Sequence, residues 1–325
     1  MLKTDHKYLI AMITILMLCI IILLFQNRNK LMKSNCKREK VLIIVVGDLE
    51  DEMKKLYKSR RYDSDYDVYN YIVSEDIKCK EWNEIANIIF ENYLNYSGFV
   101  VLHNPETLTY TATALSFILE NLDKTVVFTT DVIRGLNVVK KYNFIPEVVV
   151  IEGENILRGC RSKRIKNKFI SPNCSLLCRG DEVNVEEILK VPKEGLRMLP
   201  LNVNKKILII KIYPGISIND LKNMITGDRI HGVILETYNN GYDKVFIGDF
   251  IKFIKVKLNR EMIVISVSQS MGVIDDSLEK IGVISAKSMT TEAVYIKLLL
   301  ILSHVKNYNN EMVSKLIDKS LRGEI

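Results

Sequence analysis

The sequence predicts a two-domain α/β protein in which mainly parallel sheets follow one N-terminal transmembrane helix. The 325 residues, 48% of them hydrophobic, allow two domains and a sizeable core. Apolar β-rich runs alternate twice with segments of helical periodicity, a pattern typical of βαβ units. A long uncharged run near the N-terminus has the length of a membrane span.

The uncharged run is YLIAMITILMLCIIILLF, residues 8–25, and it contains eighteen residues. A cleavable signal peptide has a shorter apolar stretch and small residues at its cleavage site, whereas QNRNKLMK follows here. We therefore expect an uncleaved signal-anchor followed by a basic linker, so that residues 1–40 form the first region of the chain. The linker spans residues 26–40.

Charge around this run predicts its orientation. Six Lys/Arg follow the run and two precede it, so the positive-inside rule places the large domain in the cytoplasm. The same basic cluster would bind anionic headgroups of the membrane lipid. Asn95 in NYS and Asn173 in NCS match the N-glycosylation pattern and favour the opposite orientation. The charge asymmetry is the stronger signal, because such tripeptides are common by chance.

The net charge of +7 comes mostly from this N-terminal region, where eight Lys/Arg face only Asp5 and Glu39. The remainder of the chain is nearly neutral, which argues against a nucleic-acid partner. The cysteines and histidines are scattered, and Cys174 and Cys178 have no second pair that would complete a zinc site. No metal site is predicted.

The first predicted domain spans residues 41–190. Its β-rich runs VLIIVVG, GFVVLH, TVVFTT and EVVVIEG are apolar enough to be buried on both faces of a parallel sheet. KEWNEIANIIFENYLN has apolar residues at helical spacing, and a second helix is predicted over residues 106–122. The polar segment DEMKKLYKSRRYDSDYD reads as loop with some helix.

The second predicted domain spans residues 205–325. The strands KILIIKIY, GVILETY and MIVISVS alternate with helices around INDLKNMI and GDFIKFIKVKL. The last long helix is expected to have Thr290 or Thr291 as its N-cap and Glu292 in its first turn. Residues 180–204 contain two prolines and no continuous apolar strand, so they are predicted to link the domains.

The turn HNPET, residues 103–107, lies between a strand and a helix, where open α/β enzymes keep their chemistry. Local physics predicts a helix start. Asn104 is a favoured N-cap, Pro105 suits the first helical position, and Glu106 complements the positive end of the helix.

SGFVVLHNPETLTYTATALSFILENLDKTVVFT resembles a segment of the bacterial-type, cytosolic (type I) L-asparaginase / glutaminase family. YPGIS, GVILETY, VSQ, GVISAKSMTTEAVYIKLL and the terminal LRGEI follow in the order of that family's C-terminal domain. The resemblance covers about residues 41–325. It implies a larger N-terminal and a smaller C-terminal α/β domain, a homodimer or homotetramer, and hydrolysis of L-asparagine to L-aspartate and ammonia by a threonine nucleophile without a cofactor.

The resemblance also implies that the family's catalytic positions are changed. The place of the nucleophilic threonine holds Leu49, which has no oxygen to attack a carbonyl. The second threonine and the aspartate correspond to Pro105 and Glu106, and the lysine of the triad corresponds to Arg164. Arginine stays protonated and cannot serve as a base. Conceivable substitutes are Thr107 and Lys163.

The ligand-binding positions implied by the resemblance are changed as well. VSED stands where the family has D-S-S-N, which keeps only Ser74 and places Glu75 beside it. Glu106 is the third candidate for binding substrate. The asparagine that a neighbouring subunit contributes corresponds to Tyr242. The ligand these positions would hold is an amino acid, asparagine or aspartate.

Three functional readings follow. The first is a membrane-anchored pseudoenzyme that binds a ligand or a partner. The second is an active amidohydrolase that uses Ser74, Glu106, Thr107 and Lys163 as substitutes. The third is an unrelated structural membrane protein. Release of ammonia from asparagine or glutamine separates the first two, because function depends on the site and not on the fold.

Overall fold

The computed structural model describes residues 40–59, 65–71, 77–225, 229–238, 244–257, 262–270 and 276–325. Within these residues the α-helices are α1 (Glu50–Lys58), α2 (Cys79–Asn92), α3 (Leu108–Ile118), α4 (Val132–Lys141), α5 (Ile218–Ile225), α6 (Lys244–Lys257), α7 (Thr291–His304) and α8 (Asn310–Ile317).

The first sheet has eight strands and is built around the predicted apolar runs. Its order is β11-β10-β7-β6-β5-β3-β1-β2, and the strands from β6 to β2 are parallel. The strands are β1 (Val41–Val46), β2 (Tyr66–Tyr71), β3 (Gly98–His103), β5 (Val126–Thr129), β6 (Val148–Glu152), β7 (Asn155–Arg158), β10 (Cys178–Arg179) and β11 (Glu182–Val183).

The second sheet has four parallel strands in the order β13-β14-β15-β16. Two short antiparallel pairs accompany the sheets. The remaining strands are β4 (Leu119–Glu120), β8 (Lys163–Ile165), β9 (Lys168–Ile170), β12 (Arg197–Met198), β13 (Ile207–Lys211), β14 (Gly232–Thr237), β15 (Ile263–Ser268) and β16 (Ile284–Ser285). The two-domain α/β prediction with mainly parallel sheets is confirmed.

Helices cover both faces of the first sheet, because its strands are apolar on both sides. Side chains alternate along β1, so Ile44 faces one core and Ile43 the other. The first core includes Ile85 of α2 and Leu115 of α3, and the second includes Leu136 of α4. Burial of both faces explains why these runs lack the polar alternation of a half-exposed sheet.

Three local predictions are corrected. The helix expected over residues 106–122 spans only Leu108–Ile118, because Ile118 O accepts from Leu199 N at 2.8 Å and β4 then pairs with β12. The segment that reads as loop with some helix contains α1 and then leads into strand β2. The expected linker over residues 180–204 includes β11 and β12, which pair with strands of the first domain.

The C-terminal tail lies across both domains. Glu324 is fully buried and forms an ion pair with Lys297 of α7 at 2.6 Å. Arg161 of the first domain donates to Glu324 O at 2.5 Å and to Asn173 O at 2.5 Å. The tail therefore connects α7 to the 3₁₀ turn Gly159–Arg161 of the first domain.

In the part of the chain that the structure describes, no helix is both long enough and apolar enough to span a membrane. The predicted anchor, residues 8–25, lies outside the described residues.

Candidate functional site

The predicted site lies at the carboxyl edge of the first sheet. Val46 of β1 pairs with His103 of β3, and Leu102 pairs with Thr129 of β5, so these strands end at the same level. In the sheet, β2 lies on one side of β1 and β3 lies on the other. The strand order therefore reverses next to β1, and open α/β sheets bind ligands at such a switch point. The turns that follow β1, β3 and β5 therefore lie at the same edge of the sheet.

Leu49 is the N-cap residue of α1, after Gly47 has turned the chain out of β1 with a φ of 91°. Its side chain is half-buried and packs on the core between the sheet and helices α1 and α4. A cavity of about 510 Å³ adjoins it, lined also by Met53 and Tyr57. At this position the side chain serves packing, and it offers no nucleophile.

The turn after β3 differs from the predicted helix start. Asn104 Oδ1 accepts from Glu106 N at 3.0 Å and so stabilises the turn itself. Helix α3 begins only at Leu108, with Thr107 as its N-cap residue and without a capping side-chain bond. The first helical bond runs from Thr111 N to Thr107 O at 3.1 Å. Asn104 as helix N-cap and Pro105 as first helical residue are therefore wrong, because the turn separates them from the helix.

Glu106 and Arg164 are brought together by the fold. Arg164 Nη1 donates to Glu106 Oε2 at 2.5 Å, joining the turn after β3 to strand β8. The Arg164 side chain is 22% exposed and the Glu106 side chain 69%. Arg164 and Pro105 also line a pocket of about 420 Å³. Two of the predicted site residues thus form an ion pair with each other.

Residues from three other elements complete this pocket. Thr130 and Asp131 follow β5, Arg134 lies in the first turn of α4, and Glu152 ends β6. Asp131 Oδ1 accepts from Arg134 N at 3.0 Å as the N-cap of α4. Glu152 Oε2 accepts from Phe169 N at 2.9 Å. The pocket combines guanidinium and carboxylate groups, which suits a ligand that carries both charges.

Lys163 does not share the environment of Arg164. Neighbouring side chains of a strand point to opposite faces, and Lys163 is a charged neighbour of Glu292 at the start of α7. Burial raises the pKa of Glu292, and the Lys163 ammonium acts in the opposite direction. Beside them, Thr291 Oγ1 donates to Glu236 Oε1 at 2.7 Å. Lys163 therefore lies on the side of β8 that faces the start of α7.

His103 is a residue that sequence reasoning missed. It ends β3, is fully buried, and its Nδ1 lies 2.8 Å from Asn104 O. Its Nε2 has no hydrogen-bond partner among the described residues, and burial lowers the pKa of His103 to about 4. The imidazole is neutral at pH 7. Its position at a strand end, next to HNPET, is the signal that could have identified it.

Three predicted site residues, Ser74, Glu75 and Tyr242, lie outside the described residues. Their contacts with the candidate site stay predictions. The capping prediction for α7 is confirmed, because Thr290 Oγ1 accepts from Ala293 N at 3.2 Å and Glu292 follows in the first turn.

Two family models match the chain, one for each half. The model for the asparaginase N-terminal domain matches residues 37–134, and the model for the glutaminase/asparaginase C-terminal domain matches residues 206–316. The two matches together cover more than half of the chain. The chain belongs to the asparaginase family.

Two L-asparaginases of similar sequence support this assignment. An L-asparaginase from Dirofilaria immitis is 31% identical over 282 residues, which are 78% of this chain and 47% of that protein. L-asparaginase 1 of Escherichia coli (strain K12) is 27% identical over 325 residues, with coverage of 89% of this chain and 94% of that protein. The chain thus spans about half of the first relative and nearly all of the second.

A solved structure extends the likeness to the fold. The crystal structure of L-asparaginase I from Vibrio cholerae has a TM-score of 0.77 and 26% sequence identity, and the match covers 89% of this chain and 99% of that one. The resemblance to type I bacterial asparaginases is therefore confirmed at the level of family and fold. This asparaginase-family chain therefore shares the two-domain scaffold of that structure.

Proposed function

We propose that this chain is a membrane-anchored asparaginase-family protein that does not hydrolyse asparagine and that uses the fold to bind a ligand or a partner. The observation that carries the proposal is the ion pair between Arg164 and Glu106 at 2.5 Å. It occupies the positions at which the family would need a lysine base and an aspartate. A guanidinium stays protonated, so it cannot accept a proton from a nucleophile.

The nucleophile positions support the same proposal. Leu49 carries no oxygen and packs on the core. Pro105 carries neither a hydroxyl nor a backbone N–H. Removal of the members of one catalytic triad reduces the rate by about 10³ to 10⁶, and here four positions are changed together. Thr107, a conceivable substitute, is in the N-cap position of α3, with its carbonyl accepting from Thr111 N.

The pocket beside Arg164 supports a binding role. At about 420 Å³ it has the size of a small-molecule site. The Arg134 side chain and the carboxylate of Glu152 offer charges of both signs to a zwitterion such as asparagine or aspartate. The ligand proposed for this site is an amino acid.

The anchor and the assembly are part of the proposal. Residues 8–25 are long and apolar enough to span a bilayer, and the basic linker supports attachment to lipid with the large domain in the cytoplasm. Membership of the family supports a homodimer or homotetramer. Light scattering of the full chain in detergent tests the assembly, and a monomer would rule it out.

Ammonia release tests the proposal directly. We expect none from asparagine or glutamine with the full chain in detergent, under conditions in which an active asparaginase serves as positive control. Turnover that is lost in Glu106→Ala or Thr107→Ala would contradict the proposal and establish the active alternative. Melting curves with asparagine, aspartate and glutamine test binding, because a ligand that binds the folded state raises the melting temperature. Arg134→Gln should abolish that rise.

A further inference from the structure

Two exposed apolar side chains lie at the edge of the first sheet opposite the candidate site. Leu94 follows α2 and is 74% exposed, and Phe144 follows α4 and is 49% exposed. The helices run antiparallel to the strands they connect, so their C-terminal turns lie where the parallel strands begin. Exposed apolar surface that is concentrated on one face is a feature of protein and membrane interaction sites.

Hydrogen bonds show that both tips belong to one continuous edge. Ser97 N donates to Lys40 O at 2.9 Å, which fixes the Leu94 turn beside the residue that enters β1. Lys124 Nζ donates to Tyr96 O at 2.8 Å and connects this turn to the residues before β5. Thr125 Oγ1 donates to Ile145 O at 2.7 Å, which joins the same residues to the Phe144 turn.

The chain enters the described structure at this edge. Lys40 is the first described residue, and the apolar run ends at Phe25. Fourteen residues lie between them, and at ~3.3–3.6 Å per residue they span at most about 50 Å. The anchor therefore holds this edge of the sheet within reach of the bilayer.

Charged residues of this edge are paired, whereas the linker carries an excess of basic residues. Lys40 forms an ion pair with Asp67 at 2.9 Å, and Lys140 forms one with Asp65. In each of these two pairs a carboxylate balances the charge of the lysine. The linker supplies the excess positive charge through Arg28, Lys30, Lys33, Lys37 and Arg38. Such a cluster beside a membrane span attracts anionic lipid.

We propose that the amino edge of the first sheet, with Leu94 and Phe144 at its tips, rests on an anionic bilayer surface. The inference depends on the proposed anchoring and adds a defined face to it. The two side chains enter the interface to a depth of about 5–10 Å, as the apolar face of an interfacial segment does. The carboxyl edge, one strand of roughly 20 Å away, then opens away from the membrane toward solvent.

Tryptophan quenching tests this orientation with the full chain in vesicles of phosphatidylcholine and phosphatidylserine. The single native tryptophan, Trp82, is buried and provides a constant background. Leu94→Trp and Phe144→Trp should each add emission that falls when the lipid is brominated near the headgroup end of its chains. The matched control is Val245→Trp, because Val245 is 72% exposed and lies on α6 of the other domain.

Co-flotation of the same samples with the vesicles separates the two proposals. Flotation together with loss of the added emission in L94W and F144W, but not in V245W, is the expected result. Flotation without quenching would overturn the membrane-facing edge and leave the anchor intact. Quenching of all three variants to the same extent would also overturn it, because no face would be selected. Failure to float would overturn the anchor and this inference together.

Discussion

The buried ion pair between Lys297 and Glu324 makes the tail the most informative place to perturb the fold. Both side chains have no exposed surface, and their charged atoms are 2.6 Å apart. Lys297 also donates to Ile317 O and Lys319 O, and Glu324 accepts from two backbone N–H groups. Lys297→Met keeps the apolar length of the side chain and removes its charge, which leaves Glu324 buried without a counterion.

The expected cost follows from that burial. Removal of one member of a buried ion pair reduces the free energy of unfolding by about 3–5 kcal/mol. With about 2–4 °C per kcal/mol, the melting temperature should fall by about 6–20 °C. Such a loss is a large part of a total stability of about 5–15 kcal/mol.

The effect should depend on pH with a defined sign. Burial opposes ionisation of Glu324, but Lys297 and the backbone N–H groups outweigh it and hold the pKa of Glu324 below its usual 4.5. A depressed carboxyl pKa contributes stability above the unfolded pKa, and this contribution is lost as the pH falls through the folded value. The difference between wild type and Lys297→Met should therefore shrink below about pH 4.5.

Urea denaturation and thermal melts of the full chain in detergent measure this cost. Lys315→Met is the matched control, because Lys315 pairs with Glu311 at 2.7 Å with both side chains exposed, and an ion pair in that setting adds little to stability. The double variant Lys297→Met/Glu324→Gln should lose less than the sum of the single variants. A cost for Lys297→Met no larger than that of the control, or strict additivity, would refute the reasoning.

Three further predictions concern single residues. Burial raises the pKa of Glu292, so its favourable contribution is present below about pH 4.5 and is lost as the pH rises through the folded value; Glu292→Gln should reduce this loss in urea titrations as the pH is raised from that point. Thr290→Ala should cost about 0.5–2 kcal/mol in the same assay through loss of the cap on Ala293 N, and Thr290→Ser should restore it. Glu106→Gln should cost less than about 1 kcal/mol, because Glu106 is 69% exposed, and a larger loss would mean that the pair holds the turn.

Continuous apolar runs were enough to predict the buried strands. β1 and β3 each have six residues, all of them buried, and the two strands pair along their whole length. A strand that is buried on both faces can be identified from its continuous apolar sequence. The cap of α7 was also predictable, because it depends only on residues near each other in sequence. The Thr290 side chain accepts a hydrogen bond from the backbone N–H of Ala293, in the first turn of the same helix.

Elements that depend on distant partners were not predictable. β2 is a polar edge strand, and only pairing with β1 reveals it. The end of α3 depends on Leu199, which is distant in sequence and whose backbone N–H donates to Ile118 O. The pairing of Glu106 with Arg164 likewise depends on the hairpin formed by β8 and β9. The resemblance predicts that Arg164 corresponds to the family's lysine, but it does not predict which carboxylate pairs with Arg164.

The segment that ends in Arg164 contains arginines in two different environments. Arg158 and Arg161 are buried, and they bind Glu147 and the backbone of the C-terminal tail. Loss of either would leave buried acceptors without a donor, at about 1–3 kcal/mol for each unsatisfied group. Arg164, at the open edge, has one partner that is mostly exposed to solvent. A substitution at Arg164 should therefore cost less stability than one at Arg158 or Arg161, because only the latter two hold the C-terminal tail.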